Sequence, residues 1–165
     1  MLNFATRLAA RLALGLGLAA GLAGAAGAWQ IGNWFGRSVL TDAGTFAGCR
    51  MSAAYDTGIT LHFMQLSKGT LLIGMSEPGW SLDPAGAYSM GLAVDGQFVR
   101  RARGVVLSGM RDAMFIDLGR DQATRALLRR GARLSLADGM RTYDFSLTSA
   151  AEALARLDQC VRGGG

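Results

Sequence analysis

The stretch that decides the fold is Tyr88-Ser89-Met90-Gly91-Leu92-Ala93-Val94-Asp95-Gly96-Gln97-Phe98-Val99-Arg100-Arg101. Tyr88, Met90, Leu92 and Val94 alternate with Ser89, Gly91 and Ala93, the period of two that marks a strand with one buried face. Asp95-Gly96 follows at once. A two-residue type I′ turn needs positive φ at both central positions, which Asp and Gly tolerate best, so the dipeptide predicts a hairpin with Gln97 to Arg101 as the returning strand.

Outward from this hairpin the same pattern recurs. Upstream, Phe46 to Tyr55 places Cys49, Met51, Ala53 and Tyr55 on one side; Ile59 to Leu66 sets Ile59, Leu61 and Phe63 against Thr60, His62 and Met64; and Thr70 to Met75 is a short apolar run. Trp29 to Gly44 mixes aromatics with Gly and Asn and reads as a strand or an ordered arm. Downstream, Val105 to Leu107 and Ala113 to Leu118 are short strands, and a second Asp-Gly, Asp138-Gly139, joins Ala132–Ala137 to Thr142–Leu147. Many short alternating strands separated by turn signals describe an all-β, antiparallel β-sandwich. Two short helices complete it. Asp121 to Arg130 carries Ala123, Ala126, Leu127 and Leu128, ends in Arg129 and Arg130 at the negative end of the helix dipole, and stops at Gly131. Ser149 to Val161, the C-terminal helix, starts on the capping-box pattern Ser149-Ala150-Ala151-Glu152 and carries the apolar stripe Ala150, Ala153, Leu154, Leu157, Val161. Gly163 to Gly165 reads as a loose end.

The N-terminus is of another kind. Arg7 and Arg11 supply positive charge without acids, an apolar Leu/Ala/Gly stretch runs from Leu12 to about Ala25, and Ala26-Gly27-Ala28 is a small-x-small site. These are the three parts of a secretory signal, so residues 1–28 are expected to be a signal peptide cut between Ala28 and Trp29, with Ala25 as the second choice. Residues 29–165 then form a single β-rich domain located in the periplasm or outside the cell. An uncleaved signal is the one membrane attachment expected, and its Gly-diluted apolar stretch is near the lower length limit for a span. The net charge of +5 falls by two when Arg7 and Arg11 leave. A balance this modest does not mark a nucleic-acid binder. It suits an anionic surface, or simple solubility.

Two cysteines, Cys49 and Cys160, lie far apart. In an oxidising compartment such a pair predicts a disulfide that pins the last helix to an early strand.

Chemistry is hard to find. His62 is the sole histidine and sits in mid-strand. Nucleophilic catalysis needs a base beside the nucleophile. Gly74-Met75-Ser76-Glu77-Pro78 fails the G-x-S-x-G elbow, because Pro78 takes the last glycine position. If any pair were hydrolytic it would be His62 with Ser76. Two Cys and one His make no zinc set, and the scattered acids form no calcium loop. No catalytic residue, cofactor or metal is expected. Arg100, Arg101 and Arg103, together with Arg129, Arg130 and Arg133, are the candidate face for an anionic lipid, glycan or acidic partner; as solvated edge charges they would guard against aggregation.

The second half, roughly residues 70 to 161, resembles the invasion-associated locus B family of exported bacterial proteins. The resemblance is carried by Pro78-Gly79-Trp80, Leu92-Ala93-Val94-Asp95-Gly96, Ala113-Met114-Phe115-Ile116, Leu127-Leu128-Arg129-Arg130-Gly131, and Phe145-Ser146-Leu147 followed by Ala151, Ala153 and Leu157. It implies an antiparallel β-sandwich, export, and a non-enzymatic role as a binding or interaction protein; some members of the family are linked to host-cell entry. The family's usual cysteines, beside the early Trp and in the middle segment, are not found here. The partner is expected to be a protein or envelope component. The alternative is a carrier that holds a lipid or other apolar molecule between its sheets, for which the many Met side chains would be adaptable walls. A small hydrolase is the third reading.

Overall fold

The computed structural model describes residues 27–165. Of the expected signal peptide, residues 1–26 lie outside the described residues, and only Gly27 and Ala28 lead into the first strand.

Among the described residues ten strands form one sheet: β1 (Trp29–Ile31), β2 (Trp34–Leu40), β3 (Phe46–Ala54), β4 (Thr60–Leu66), β5 (Leu71–Ser76), β6 (Tyr88–Val94), β7 (Gln97–Val105), β8 (Ala113–Asp117), β9 (Arg133–Ala137) and β10 (Thr142–Ser146). Their order is β1-β2-β3-β4-β5-β8-β7-β6-β9-β10, and every pairing is antiparallel. The helices are α1 (Gln122–Arg130) and α2 (Ala150–Gly163). The expected all-β antiparallel class with two helices, the second C-terminal, is therefore observed.

The two ends of the sheet are joined at a narrow waist, where β7 meets β8 through Gly104↔Ile116 and Val105↔Phe115. A Cβ at Gly104 would lie 2.6 Å from Met114 Sδ and 2.9 Å from Tyr88 Cβ, so only glycine lets the strands approach this closely. Beyond the waist the sheet comes back over itself. The Trp34 indole N–H donates to the Thr148 carbonyl at 3.0 Å, the Tyr55 hydroxyl donates to the Ser146 carbonyl at 2.6 Å, and the Tyr55 and Phe145 rings meet edge to face at 5.1 Å. β10 and the chain leaving it thus lie against β2 and β3, a sandwich-like closure of one continuous sheet.

The core lies inside this closure. Trp34, Met51, Leu61, Phe63, Ile73 and Met75 from the first strands meet Met90, Leu92, Leu134, Leu136 and Phe145 from the last, all essentially inaccessible. The α2 stripe Ala150, Ala153, Leu154, Leu157 joins the same cluster and packs on β2, β3 and β4. Cys49 on β3 and Cys160 on α2 form the expected disulfide, so the last helix is covalently held to the sheet. The opposite face of β4, β5 and β8 carries a smaller cluster, Met64, Leu72, Ala113 and Phe115, covered by Leu107 and Met110.

Local differences from the sequence reading have identifiable causes. β7 runs on to Val105, and Leu107, expected in a strand, lies in the loop that covers the second cluster. Trp29 to Leu40 is a hairpin with Ile31 opposite Trp34. Asp95 and Gly96 both have positive φ, 50° and 78°, as a type I′ turn requires. At Asp138-Gly139 only the glycine does, because the connection spans Asp138 to Arg141, with the Asp138 N–H donating to the Arg141 carbonyl at 3.1 Å. Ser149 makes no cap bond to α2 and takes φ of 59°. Its hydroxyl instead packs where a Cβ on Gly32 would be, at 3.1 Å, against the β1–β2 turn. The glycine tail continues α2 through Gly163, and the Gly165 N–H closes the helix onto the Cys160 carbonyl at 3.1 Å.

Candidate binding groove

Three segments converge at one side of the molecule. The first is the loop after β5. Its Trp80 N–H donates to the Glu77 carbonyl at 3.1 Å, and its Leu82 exchanges bonds with Arg111: the Leu82 N–H donates to the Arg111 carbonyl at 2.8 Å and Arg111 Nε donates to the Leu82 carbonyl at 3.2 Å. The second is the start of β6, where the Tyr88 hydroxyl accepts from the Asp83 N–H at 2.9 Å. The third is the β9–β10 connection. Asp138 accepts at Oδ1 from the Met140 and Arg141 N–H groups at 2.8 and 2.7 Å, and at Oδ2 from the Tyr143 hydroxyl at 3.3 Å.

Between these segments lies an open groove of about 450 Å³ lined by Trp80, Leu82, Tyr88, Met114, Met140 and Tyr143, with Ser89, Asp138 and Arg141 as its polar members. Met114 forms the floor and is buried, the rings are half-buried, and Met140 stands 91% exposed. Burial raises the Asp138 carboxyl, but the backbone bonds from Arg141 and Met140, the Tyr143 hydroxyl and the Arg141 charge outweigh it and hold the group below its ordinary range. Burial, and then the Asp138 charge, push the Tyr143 phenol up. The groove therefore sets the Tyr143 phenol beside a carboxylate held in its charged form: apolar, aromatic walls with one polar corner.

The structure does bring His62 and Ser76 together. They occupy neighbouring strands on the face opposite the core, with His62 Nε2 and Ser76 Oγ 2.8 Å apart. His62 stands opposite Gly74, and the Phe115 ring lies 5.9 Å from the imidazole over that gap. Access and orientation are another matter. His62 is only 6% exposed, and its buried Nδ1 has no hydrogen-bond partner among the described residues, so none of them fixes the ring as a third group would. Burial, with the Arg50 charge adding and Asp112 opposing, lowers the imidazole to about 4, far from the value a general base needs near neutrality.

The six arginines named as a candidate face, whose sharing of one side the sequence left open, lie in several places. Register places Arg101 and Arg103 opposite Gly91 and Ser89, on the face away from the core. Arg100 pairs with Leu92 on the other face and reaches the α1 cap Asp121 at 4.0 Å. Arg129 is bound to Asp158 of α2, Arg130 is exposed, and Arg133 lies beside Asp95, whose carboxylate accepts its N–H at 2.8 Å. The sequence reading missed the groove, because its aromatics stand far apart in the chain; Trp80 and the Asp138 turn were each visible, their meeting was not. Among the described residues no group of three or more His, Cys, Asp or Glu side chains is placed to hold a metal, and no helix is long and apolar enough to cross a membrane.

No family model matches the sequence, and no curated protein matches it either. The fold does have a solved counterpart. The crystal structure of invasion associated protein B from Bartonella henselae superposes with a TM-score of 0.56 at 17% identity, over 84% of this chain and 99% of that one. At this identity the likeness establishes a shared fold, in agreement with the architecture that the sequence resemblance implies.

Proposed function

We propose that this chain is an exported binding protein that acts without catalysis, holding an extended apolar or aromatic segment of a protein or envelope component in the groove between Trp80, Tyr88 and Tyr143. The observation that carries this reading is the groove itself: three aromatic rings and a wholly exposed Met140 on the surface, the composition that anchors interfaces. Export to the periplasm or beyond is supported by the Cys49–Cys160 bridge, which persists in oxidising compartments, and by the signal-like residues 1–28. The fold shared with invasion associated protein B is consistent with a related exported protein.

The test is photocrosslinking in the native host, with a photoreactive residue at position 140 and a control at exposed Glu152. A discrete adduct at 140 that is absent at 152, and lost with Trp80→Ala/Tyr143→Ala, supports the reading. No adduct at 140 refutes it. A serine-directed fluorophosphonate that labels the wild type but not Ser76→Ala would replace binding by hydrolysis. The apolar-carrier reading keeps one place to act. The space between the sheet halves is filled by side chains such as Trp34, Phe63 and Phe145, so a small apolar molecule would sit in the same groove. Native mass spectrometry of the purified protein separates that ligand from a macromolecular partner.

A further inference from the structure

The β4–β5 turn, α1 and the last turns of α2 border a second, open basin, of about 550 Å³, distinct from the aromatic groove. Among the described residues five cations line it, Lys68, Arg120, Arg125, Arg129 and Arg162, with Asp158 as the single carboxylate. Asp158 already serves two of them, lying 3.5 Å from Arg125 Nη1 and bonded to Arg129 Nη2. The remaining partners are neutral. Gln65 Oε1 accepts from Arg125 Nη1 at 3.2 Å, the Gly69 carbonyl from Arg125 Nη2 at 2.7 Å, and the Lys68 carbonyl from Arg120 Nη2 at 2.5 Å. These acceptors fix the side chains without neutralising them. Among the described residues, Lys68, Arg120 and Arg162 have no carboxylate within 4.0 Å.

Arg125 makes this more than a charged surface. It is only 8% exposed, and its buried Nε has no partner among the described residues. A guanidinium is held at such depth, next to further arginines, only against a cost in desolvation and repulsion. A bound anion would relieve that cost. The surplus of cations over the one carboxylate calls for a multiply charged oxyanion, and arginine forks with a mobile lysine match tetrahedral oxygens.

We propose that this basin is a binding site for a phosphate-bearing ligand, with Arg125 and Arg129 as the oriented base of the site and Lys68, Arg120 and Arg162 closing on the remaining oxygens. The phosphate belongs either to a free phosphate ester or to a lipid headgroup, and the two sources separate experimentally. The reading is independent of the aromatic groove, which it leaves untouched.

The test uses the intact purified protein, ¹⁵N-labelled, with inorganic pyrophosphate as the soluble probe and vesicles of phosphatidylglycerol, against phosphatidylcholine, as the lipid probe, at about 0.15 M salt. Two double variants remove equal charge: Lys68→Gln/Arg162→Gln inside the basin, and Arg101→Gln/Arg103→Gln on β7. Neither pair makes an ion pair or side-chain hydrogen bond among the described residues, so both variants should keep the wild-type Tm. Pyrophosphate should shift the amides of Lys68, Gly69 and Gln122, and its affinity should fall about tenfold in the basin variant and less than about twofold in the β7 variant. That pattern with pyrophosphate assigns a free phosphate ester. The same variant dependence with phosphatidylglycerol vesicles alone assigns a headgroup. Equal losses in the two variants, or binding of neither probe, overturns the site.

Discussion

Replacing Cys49 and Cys160 together by alanine should unmask how strongly the fold depends on one covalent link. The bridge spans a sequence separation of 111 residues. In the chain-entropy account, closing a loop of that order restricts the denatured ensemble by about 4–5 kcal/mol. A domain of this size has a net stability of roughly 5–15 kcal/mol, so about a quarter or more of it is at stake. Both half-cystines are also buried, at 0% and 5% exposure, and removing the sulfurs leaves a small packing defect beneath α2. Urea unfolding followed by circular dichroism is the assay. The variant should lose about 4 kcal/mol, equivalent to a fall in Tm of roughly 10–20 °C, and its m-value should rise because the unlinked chain exposes more surface when unfolded. A loss under about 1 kcal/mol with unchanged m would refute the reasoning: it would mean that α2 packing already keeps the chain ends together in the denatured ensemble.

Three further outcomes follow from particular contacts. Burial holds the His62 imidazole at about 4 against 6.5 when free. The unfolded chain therefore takes up a proton that the folded one refuses, and stability present above pH 6.5 is lost as pH falls from there toward 4, by up to about 3 kcal/mol. His62→Gln should flatten that slope in urea titrations between pH 7.5 and 4.5, and an unchanged slope would assign the pH dependence elsewhere. Gly74→Ala places a Cβ 2.4 Å from Phe115 Cδ1 and 2.5 Å from the Met114 carbonyl; since the backbone cannot move aside cheaply, thermal unfolding should register a loss of about 1–3 kcal/mol. Trp34→Phe removes the donor to the Thr148 carbonyl and should cost about 1–3 kcal/mol, with faster amide exchange at the start of α2; unaltered exchange there would show that the indole bond does not position the helix.

Much of the architecture was legible because it is local. The Tyr88–Val94 alternation and the Asp95-Gly96 turn specify a hairpin from neighbouring residues alone, and the α2 stripe specifies the face that meets the sheet. Where the reading went astray, a distant contact outweighed the local signal. The capping box at Ser149 is a sound local pattern, yet Trp34 draws Thr148 toward β2 and Ser149 packs on Gly32, so the cap geometry is given up. The hairpin of Trp29 to Leu40 looked irregular because Gly36 breaks its alternation; across the strand pair that glycine is where the Trp29 ring lies, 2.0 Å from the place a Cβ would occupy. The functional surfaces were hidden for the same reason. Arg125 reads as an ordinary helix residue until the Gly69 carbonyl and Asp158 are brought to it, and Trp80, Tyr88 and Tyr143 form a groove only after the sheet closes.

The strand order has a consequence for how the chain reaches this state. β5 must pair with β8, yet β6 and β7 come between them in the chain. Until β8 arrives, Leu71-Leu72-Ile73-Gly74-Met75 offers an open, uncharged strand edge whose residues are all buried in the finished fold, the kind of segment that pairs with a copy of itself. Lys68 on one side and Glu77-Pro78 on the other flank it as gatekeepers. Replacing both flanks should leave the folded molecule little changed while directing nascent chains into aggregates, so the fraction of soluble protein on expression should fall although the purified variant keeps its Tm.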